Sequence, residues 1–327
     1  MIAPAFWQHG HRPPWLLRPL LWPLSRAYAA ATAHRVAQPG WTAPVPVLCC
    51  GNPGAGGAGK TPLALDLAAR LLARGRRPAF LTRGHGGAGQ GARRVDPTRH
   101  SARDVGDEAL LLAAQAPTYA GPDRAATARL AIADGADVLV MDDGLQNPTL
   151  AKTRTLMVID GGAGFGNGRV IPEGPLREPI AAAAARCAAA VLIGPDTTAA
   201  GALLPPATPI LAARIAPNPS DLAALPQHIL AFAGIGRPEK FFATLRQHGH
   251  PPRHSLAFPD HHPYTEADLA RIRAAAARLD AVPVTTEKDF VRLPEAARAG
   301  ILQLRIALVW EDATRIDAFL TEALAQA

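Results

Sequence analysis

The stretch Gly54-Ala55-Gly56-Gly57-Ala58-Gly59-Lys60-Thr61 fits the phosphate-binding pattern G-x-x-x-x-G-K-[ST]. The apolar run at residues 45–50 predicts a buried strand before it, and the helical spacing of residues 62–72 predicts a helix after it. This order directs backbone N–H groups and a helix N-terminus toward phosphate oxygens. Lys60 would reach the β- and γ-phosphates of a nucleotide, and the Thr61 hydroxyl would hold Mg²⁺. The flanking elements disfavour the alternative, a flexible glycine-alanine turn.

Further apolar stretches alternate with helical stretches along the chain. Strands are predicted at residues 78–82, 136–141, 155–159 and 189–193, and a helix at residues 125–133. This alternation predicts an α/β fold, in which a P-loop NTPase-like, mostly parallel sheet carries helices on both faces. In such sheets the ligand binds at the carboxyl ends of the strands.

A proline-rich stretch at residues 205–219 indicates a domain boundary. Beyond it we predict a second, smaller α/β unit. Its elements are strands at residues 228–232, 253–258 and 281–284, helices at 238–248 and 266–279, a final strand near 304–310 and a C-terminal helix. The predicted division is an N-terminal segment (1–35), a P-loop core domain (36–215) and a smaller α/β domain with the C-terminal helix (216–327).

The composition is that of a folded protein, with 48% hydrophobic and 19% charged residues. The net charge of +7 suits an anionic partner, such as a nucleotide, an anionic lipid surface or a nucleic acid. Aromatic residues make up only 5% of the chain and form no basic-aromatic RNA-binding pattern, so no nucleic-acid partner is expected. Cys49, Cys50 and Cys187 form no C-x-x-C pair, which fits a reducing cytosolic setting.

The N-terminus contains the unusual stretch Trp15-Leu16-Leu17-Arg18-Pro19-Leu20-Leu21-Trp22-Pro23-Leu24. It is too short and too often interrupted by Arg and Pro to span a bilayer. Leucine and tryptophan beside arginine are typical of a segment that lies in the membrane interface. A helix packed on the protein's own core is the alternative, and the residues alone leave both open.

Two aspartates, Asp142 and Asp143, follow the predicted strand Val138-Leu139-Val140-Met141. An apolar strand that ends in Asp is the pattern of a Walker B element, whose carboxylate binds Mg²⁺ directly or through water. A turn is the alternative, because Gly144 follows and Asp is common in turns. Gln146 continues this loop and offers an amide group at the same face of the sheet.

A second acidic pair, Asp107 and Glu108, follows Gly106 and precedes the apolar run Ala109-Leu110-Leu111-Leu112-Ala113. Asp107 could cap the helix that this run predicts. Alternatively, a carboxylate at this position could take a proton from an attacking hydroxyl group. Sequence spacing leaves both interpretations open.

The stretch Asp260-His261-His262 lies in the second unit. Zinc is disfavoured, because two adjacent histidines do not easily face one ion. Two interpretations remain open: a histidine that orients a carboxylate base, and a simple surface loop.

In another stretch, Arg177 could stabilise charge on a transferred phosphoryl group and Glu178 could assist a metal, although an ordinary ion pair is the simpler interpretation.

Taken together, these motifs resemble the tetraacyldisaccharide 4'-kinase family, the lipid A 4'-kinases. The resemblance spans most of the chain, and its specificity lies in the combination of motifs rather than in any one beyond the P-loop. The motifs are Gly51-Asn52-Pro53, Gly59-Lys60-Thr61-Pro62, Thr82-Arg83-Gly84, Gly106-Asp107-Glu108, Asp142-Asp143-Gly144-Leu145-Gln146, Gly164-Phe165-Gly166-Asn167-Gly168, Gly174-Pro175-Leu176-Arg177-Glu178, Asp260-His261-His262 and Thr286-Glu287-Lys288-Asp289. Two positions depart from the family pattern: His85 replaces an expected aromatic residue, and Asn147 replaces a histidine.

The resemblance implies ATP-dependent phosphorylation of the 4'-hydroxyl of a lipid-linked glucosamine disaccharide 1-phosphate at the cytosolic face of the inner membrane. It implies two α/β/α domains that close around ATP, with Asp107 as the base and His261 as its partner. The broken apolar N-terminus would then rest in the membrane, and we expect a monomer. The remaining implied roles are support of the metal by Thr61, Asp142, Gln146 and Glu178, and a position near the nucleotide for Thr286, Glu287, Lys288 and Asp289.

A P-loop switch or assembly ATPase is the rival hypothesis from a different functional class. Many such switches carry an additional lysine early in the loop, where this chain has Ala55. The rival also gives no reason for the pairing of Asp107 with His261 or for the lipid-like N-terminus. A kinase with another sugar or a nucleoside as its acceptor is the closer competitor.

Overall fold

Two β-sheets surrounded by helices make up the protein in a computed structural model, which describes residues 4–84, 87 and 91–325. The strands are β1 (Val47–Gly51), β2 (Pro78–Thr82), β3 (Arg93–Arg94), β4 (Thr118–Ala120), β5 (Val138–Asp142), β6 (Arg154–Asp160), β7 (Ala189–Ile193), β8 (Ile210–Pro217), β9 (Ile229–Ala233), β10 (His254–Ala257), β11 (Val282–Thr286), β12 (Leu302–Leu304) and β13 (Ile306–Trp310). The helices are α1 (Arg18–Val36), α2 (Lys60–Ala73), α3 (Ala102–Val105), α4 (Asp107–Ala113), α5 (Arg124–Ala133), α6 (Ile180–Ala184), α7 (Pro219–Ala223), α8 (Pro238–Gln247), α9 (Glu266–Arg278), α10 (Glu287–Phe290) and α11 (Ala313–Ala325). Short 3₁₀ helices lie at Ala5–Trp7, Ala200–Leu203 and Glu295–Ala297.

The larger sheet has nine strands in the described residues, in the order β13-β8-β7-β6-β1-β5-β2-β4-β3. All its pairings are parallel except those of β3 with β4 and of β13 with β8. The smaller sheet has the order β10-β9-β11-β12 and parallel pairings throughout. The predicted α/β fold, a mostly parallel P-loop-type sheet with a second smaller unit, is therefore confirmed.

Strand β1 lies in the middle of the larger sheet and is buried along its whole length. A parallel strand covered on both faces reads as a continuous apolar run, which is why its sequence shows no alternation. Leu63, Leu67 and Leu71 recur at helical spacing on α2 and pack against one face of the sheet. Cys49 belongs to the core on the opposite face, in keeping with its predicted packing role. This packing fixes where the P-loop leaves the sheet.

The chain returns from the smaller sheet to the larger one at Arg305, which separates β12 from β13. The predicted final strand near residues 304–310 is present as β13, but its expected place in the smaller unit was wrong, because β13 pairs with β8 of the larger sheet. The two crossings lie side by side: Asn218 N donates to Arg305 O at 2.9 Å, and Arg305 Nη2 donates to Asp221 Oδ1 at 2.6 Å. Pairing of β13 with β8 brings α11 back to the core beneath α2. The predicted domain boundaries stay predictions.

Helix α1 packs only part of its surface on the protein. Ser25 Oγ donates to Val170 O at 2.9 Å, and Tyr28 contacts the apolar cluster beneath the helix. In contrast, Trp15, Leu16 and their apolar neighbours up to Leu24 are largely exposed. Among the helices of the described residues, none is both long and apolar enough to cross a membrane.

Candidate active site

The P-loop connects β1 to α2 and brings Lys60 to the first position of that helix. Gly59 precedes it with a φ of 92°, and a Cβ atom there would lie 2.6 Å from Ile193 Cδ1, so only glycine fits. Lys60 Nζ donates to Asn52 Oδ1 at 3.3 Å and to Gly56 O at 3.2 Å. The lysine ammonium therefore lies over the loop, where a phosphate group would be bound.

Asp142 ends β5 and lies directly opposite the start of α2. Thr61 Oγ1 donates to Asp142 Oδ2 at 2.9 Å, while Asp142 Oδ1 is buried and has no hydrogen-bond partner in the described residues. Burial raises the pKa of Asp142 to about 7, and the nearby negative charge of Glu108 adds to this shift. An unpartnered buried carboxylate oxygen is costly unless a cation or water binds there.

These groups fit Mg²⁺ on chemical grounds. No cluster of three or more His, Cys, Asp and Glu side chains suited to a metal occurs within residues 4–84, 87 and 91–325. Mg²⁺ at phosphate-binding sites is typically held by one or two carboxylates together with phosphate oxygens and waters, not by a closed protein cage. Thr61 Oγ1, the free oxygen of Asp142 and the neighbouring Asp143 provide such an open set.

Arg177 lies between β6 and α6 and contacts the loop that follows β5. Its Nη1 donates to Asp143 Oδ1 and to Gln146 Oε1, both at 3.2 Å. Burial would raise the pKa of Asp143, but the charges of Lys60 and Arg177 outweigh it and lower that pKa below its ordinary value. Asp143 adopts a φ of 54°, an uncommon value for a residue other than glycine. Asp143 is thus an ionised carboxylate between two cations.

Glu178 lies behind Gln146 and away from the loop. Gln146 Nε2 donates to Glu178 Oε1 at 2.8 Å and to Asn52 O at 3.0 Å, which fixes the amide. Arg186 Nη2 binds both Glu178 oxygens, at 2.8 and 2.7 Å. In this arrangement Glu178 orients Gln146, and its predicted metal role stays a prediction.

Asp107 begins α4 at the edge of a second group of charged side chains. Its Oδ2 lies 3.1 Å from His261 Nδ1 and accepts hydrogen bonds from Arg292 Nε, at 3.1 Å, and Nη2. Its Oδ1 accepts from the Glu108 backbone N–H at 3.1 Å. Gly106, with a φ of 83°, takes the N-cap position instead, so Asp107 does not cap α4 in the usual way.

Electrostatics keep the Asp107 carboxyl ionised. Burial raises its pKa, but the hydrogen bonds and charge of Arg292, with smaller effects of His261 and Lys288, outweigh burial and lower the pKa below 3.8. His261 reaches this position from the loop after β10 with a φ of 57°. An ionised carboxylate of the larger sheet thus meets a histidine from the smaller sheet.

The segment Thr286 to Asp289 makes contacts of its own within the smaller sheet unit. Thr286 Oγ1 donates to Asp289 Oδ2 at 2.6 Å and accepts from Asp289 N, so it caps α10. Burial raises the pKa of Glu287 to about 7, opposed by the charge of Arg305, so this side chain lies toward the chain crossing. Lys288 Nζ lies 3.4 Å from Glu108 Oε1 and links α10 to α4. Contact of these residues with a nucleotide stays a prediction.

A cavity of about 600 Å³ adjoins the P-loop. Its walls are loop residues 52–58, the glycine-rich turn after β6, the N-terminal residue Trp7 and Arg237 of the smaller unit. Arg237 Nη2 lies 3.8 Å from Asp160 Oδ2, so the two units meet at the rim. Because the lining does not include Lys60 or Thr61, the cavity lies beside the phosphate loop and not over the start of α2.

Known proteins of one family are similar to this chain over most of its length. The family profile described as Tetraacyldisaccharide-1-P 4'-kinase matches residues 17–325. The tetraacyldisaccharide 4'-kinase of Gluconacetobacter diazotrophicus is 55% identical over 312 residues, covering 95% of each chain. This chain belongs to that family. The resemblance inferred from the sequence motifs is thereby confirmed.

Other members of the tetraacyldisaccharide 4'-kinase family match over nearly the full length. The relative from Rhodospirillum centenum is 51% identical over 331 residues, covering 99% of this chain and 97% of that protein. Among solved structures, LpxK from Aquifex aeolicus, described as an "apo" form in complex with ATP, matches with a TM-score of 0.75. This match covers 94% of this chain and 99% of the Aquifex aeolicus chain at 22% identity, so the likeness concerns the fold.

The tertiary structure groups most of the residues that the sequence indicated for kinase chemistry. Seven of them lie in one contact network around the P-loop: Lys60, Thr61, Asp142, Asp143, Gln146, Arg177 and Glu178. Asp107 and His261 form a second group. Of the two departures from the family pattern, Asn147 accepts from Thr149 N at 3.0 Å and orders the turn after β5, whereas His85 lies outside the described residues.

Sequence reasoning missed three residues of these networks. Asn52 bridges Lys60 and Gln146, and Arg186 binds Glu178. Arg292 contacts Asp107, although the two are far apart in sequence. One signal was available, since Arg292 follows Asp289 at the i,i+3 spacing of a helical ion pair. That spacing could identify the pair but not its contact with Asp107.

Proposed function

We propose that this chain is an ATP-dependent kinase that phosphorylates the 4'-hydroxyl of a tetraacylated glucosamine disaccharide 1-phosphate in lipid A biosynthesis. Membership of the tetraacyldisaccharide-1-P 4'-kinase family supports the substrate class. The observation that carries the proposal is the Asp107 carboxylate, held by His261 and Arg292 at the start of α4, the helix that contacts the P-loop helix α2. The charge of Glu108, its neighbour in sequence, reaches Asp142 and raises its pKa.

The proposed reaction is an in-line phosphoryl transfer. The 4'-oxygen forms a bond to the γ-phosphorus of ATP, the bond to the β–γ bridging oxygen breaks, and ADP leaves. Asp107 accepts the hydroxyl proton, and His261 orients the carboxylate. Lys60 and the loop N–H groups bind the phosphates, while Arg177 stabilises the negative charge of the transition state. When bound, Mg²⁺ supplies charge neutralisation of the β- and γ-phosphate oxygens.

Thr61, Asp142 and Asp143 are the residues we propose to hold Mg²⁺. The buried, unpartnered Oδ1 of Asp142 supports this assignment most directly. Gln146 and Glu178 would contribute by holding Arg177 in place, through the hydrogen bonds of the Gln146 amide.

Asp142→Asn is expected to lower kcat by about 100-fold or more, because one charged ligand of the metal is lost. The melting temperature should change little, because the substitution removes a buried carboxylate of raised pKa. Phosphoryl transfer would be measured over a Mg²⁺ series. Asp123→Asn is the matched control, because Asn serves equally well as the N-cap of α5. Wild-type Mg²⁺ dependence in Asp142→Asn would remove this residue from the metal site.

The proposed activity is tested by transfer of the ATP γ-phosphate to a detergent-solubilised tetraacyl disaccharide 1-phosphate with Mg²⁺, followed by mass spectrometry. A bisphosphorylated lipid is the expected product. ATP hydrolysis without lipid phosphorylation by a folded sample would instead favour the P-loop switch or assembly ATPase. Transfer to another sugar or to a nucleoside would keep the kinase and change its acceptor.

We further propose that the exposed apolar residues near the start of α1 rest in the cytosolic face of the inner membrane. Trp15, Leu16, Leu20 and Trp22 together form this membrane-facing group. Arg18 lies among them and Arg26 follows them, and both suit anionic lipid headgroups. Such a position would bring the enzyme to an acceptor that remains in the bilayer.

Leu16→Ser/Leu20→Ser is expected to weaken binding to vesicles of phosphatidylethanolamine and phosphatidylglycerol by about tenfold or more, because two apolar side chains no longer enter the lipid. Leu72→Ser/Leu130→Ser is the matched control, with exposed fractions of 46% and 41% against 69% and 63% for Leu16 and Leu20. Binding would be measured by vesicle co-sedimentation. Equal binding of the two double variants would argue against an N-terminal membrane contact.

A further inference from the structure

We propose that Arg292 is a positioning residue for phosphoryl transfer, which holds the Asp107 carboxylate from the smaller sheet unit in the orientation needed at the acceptor hydroxyl. The inference rests on the proposed function in one respect, namely that Asp107 is the proton acceptor. Arg292 follows α10, whereas Asp107 begins α4, and 185 residues separate them in sequence. The contact therefore exists only when the two units are together.

Arg292 is itself rigidly held. Its side chain is only 4% exposed, and its Nη1 donates to Gly234 O at 2.7 Å and to Asp289 Oδ1 at 2.9 Å. Its Nε and Nη2 both bind Asp107 Oδ2. A planar guanidinium that is fixed on one side presents its other donors in a defined direction. The position of the Asp107 carboxylate is thus set by the backbone at Gly234.

Asp289 provides the second anchor of this arrangement. It is fully buried, and its Oδ1 accepts hydrogen bonds from Tyr264 OH and Gly234 N, both at 3.0 Å. Its Oδ2 accepts from Thr286 Oγ1 at 2.6 Å. These partners hold Asp289 in place, and Asp289 in turn holds the Arg292 guanidinium that contacts Asp107. This explains a role for part of the Thr286–Asp289 motif that requires no nucleotide contact.

The charged groups around Asp107 make the role of Arg292 measurable. Arg292 and His261 contact the carboxylate directly, and Lys288 lies farther away on Glu108. The Arg292 hydrogen bonds and charge are the main effects that lower the Asp107 pKa against burial. Without Arg292, the largest effects that lower the Asp107 pKa are lost, so this pKa should rise above its wild-type value. The active, ionised form would then be lost at a higher pH, so the acidic limb of the kcat/KM profile should move upward.

The test compares Arg292→Ala with wild type in the lipid phosphorylation assay across pH. The acidic limb is expected to move up by about one pH unit or more. At neutral pH kcat should fall by about 10- to 100-fold, because the carboxylate is less well placed, while the KM for ATP stays near the wild-type value. Free guanidinium should restore part of kcat in Arg292→Ala. Wild-type pH dependence in a folded Arg292→Ala would overturn the inference.

Arg298→Ala is the matched control in the same segment. Arg298 binds the backbone oxygens of Leu293, at 3.1 Å, and Val291, at 3.2 Å, and stacks on Phe290. Its loss should lower the melting temperature without moving the acidic limb of the kcat/KM profile. If Arg292→Ala does not fold, Arg292→Lys keeps the charge but loses the paired guanidinium hydrogen bonds, so it should lower kcat and move the acidic limb upward by less than Arg292→Ala would. A wild-type kcat in Arg292→Lys would overturn the inference.

A second readout separates this inference from the proposed function. The Asp107 carboxyl can be titrated by ¹³C NMR in wild type and Arg292→Ala, with the signal assigned by its absence in Asp107→Asn. Its pKa should be higher in Arg292→Ala whether or not the lipid is a substrate. An unchanged titration would overturn the inference. Absence of lipid transfer by wild type, with the expected NMR shift, would refute only the proposed function.

Discussion

Lys60→Ala is expected to lower kcat for phosphoryl transfer by about 1,000-fold or more, because the P-loop lysine is a fixed cation at the β- and γ-phosphates. In the structure its ammonium is held over the loop by Asn52 Oδ1 and Gly56 O, and lies 3.7 Å from Asp143 Oδ1. It is therefore already in place before a phosphate binds. Such preorganised charge contributes most where charge develops in the transition state.

The same substitution should cost little stability, on the order of 1 kcal/mol, because the lysine makes two long hydrogen bonds and one loose ion pair. Lipid phosphorylation and thermal melting would be measured in parallel. Lys240→Ala, which removes an exposed lysine of α8, is the control and should leave kcat unchanged. Near-normal turnover by Lys60→Ala would refute the assignment of the P-loop to catalysis.

Asp107→Asn is expected to lower kcat by about 100- to 10,000-fold, with ATP affinity close to that of wild type, since a base acts in the transition state. Asn keeps the volume of the side chain but cannot accept the hydroxyl proton. Arg292 would retain Asp289 as its second partner, so the guanidinium is not left without a counter-charge. Single-turnover transfer and nucleotide binding would separate the two effects.

Asp104→Asn is the matched control for Asp107→Asn, because Asp104 is an exposed carboxylate only three residues earlier that pairs with Ser101 at the start of α3. Its loss should not change kcat.

The pH dependence of stability provides a second test of Asp107. The pKa of Asp107 is lowered in the folded protein, so its stabilising contribution is present above pH 4 and is lost as the pH falls through the folded pKa. Unchanged turnover of Asp107→Asn with a lower melting temperature would make Asp107 a structural residue.

Much of the fold could be predicted because its signals are local. β2 and β7 were predicted with the observed bounds, and β1, β5 and β6 to within a few residues, because each is a short apolar run of a buried parallel strand. One sheet assignment failed. The strand near residues 304–310 was expected in the smaller unit, but β13 pairs with β8 of the larger sheet, because strand partners are not encoded in local hydrophobicity.

In the candidate site, too, local features could be predicted from the sequence and long-range contacts could not. The P-loop and the aspartates after β5 could be located from sequence, because a glycine pattern between strand and helix, and an acidic residue at a strand end, are local features. The partners of Asp107 could not be located from the sequence, since His261 and Arg292 come from the other sheet unit. For Glu178 the sequence allowed a metal role, whereas its bonds to Arg186 and Gln146 are visible only in the folded chain.

The sequence by itself determined the α/β class, the phosphate-binding loop and the family, since all three rest on residue order and short-range spacing. Only the tertiary structure decided which carboxylates lie free and which are paired. Within the described part of the chain, Asp142 keeps one buried oxygen without a partner, while Asp107 has both oxygens occupied. The physical reason is that burial and long-range charge set the state of an acidic group, and both depend on residues distant in sequence.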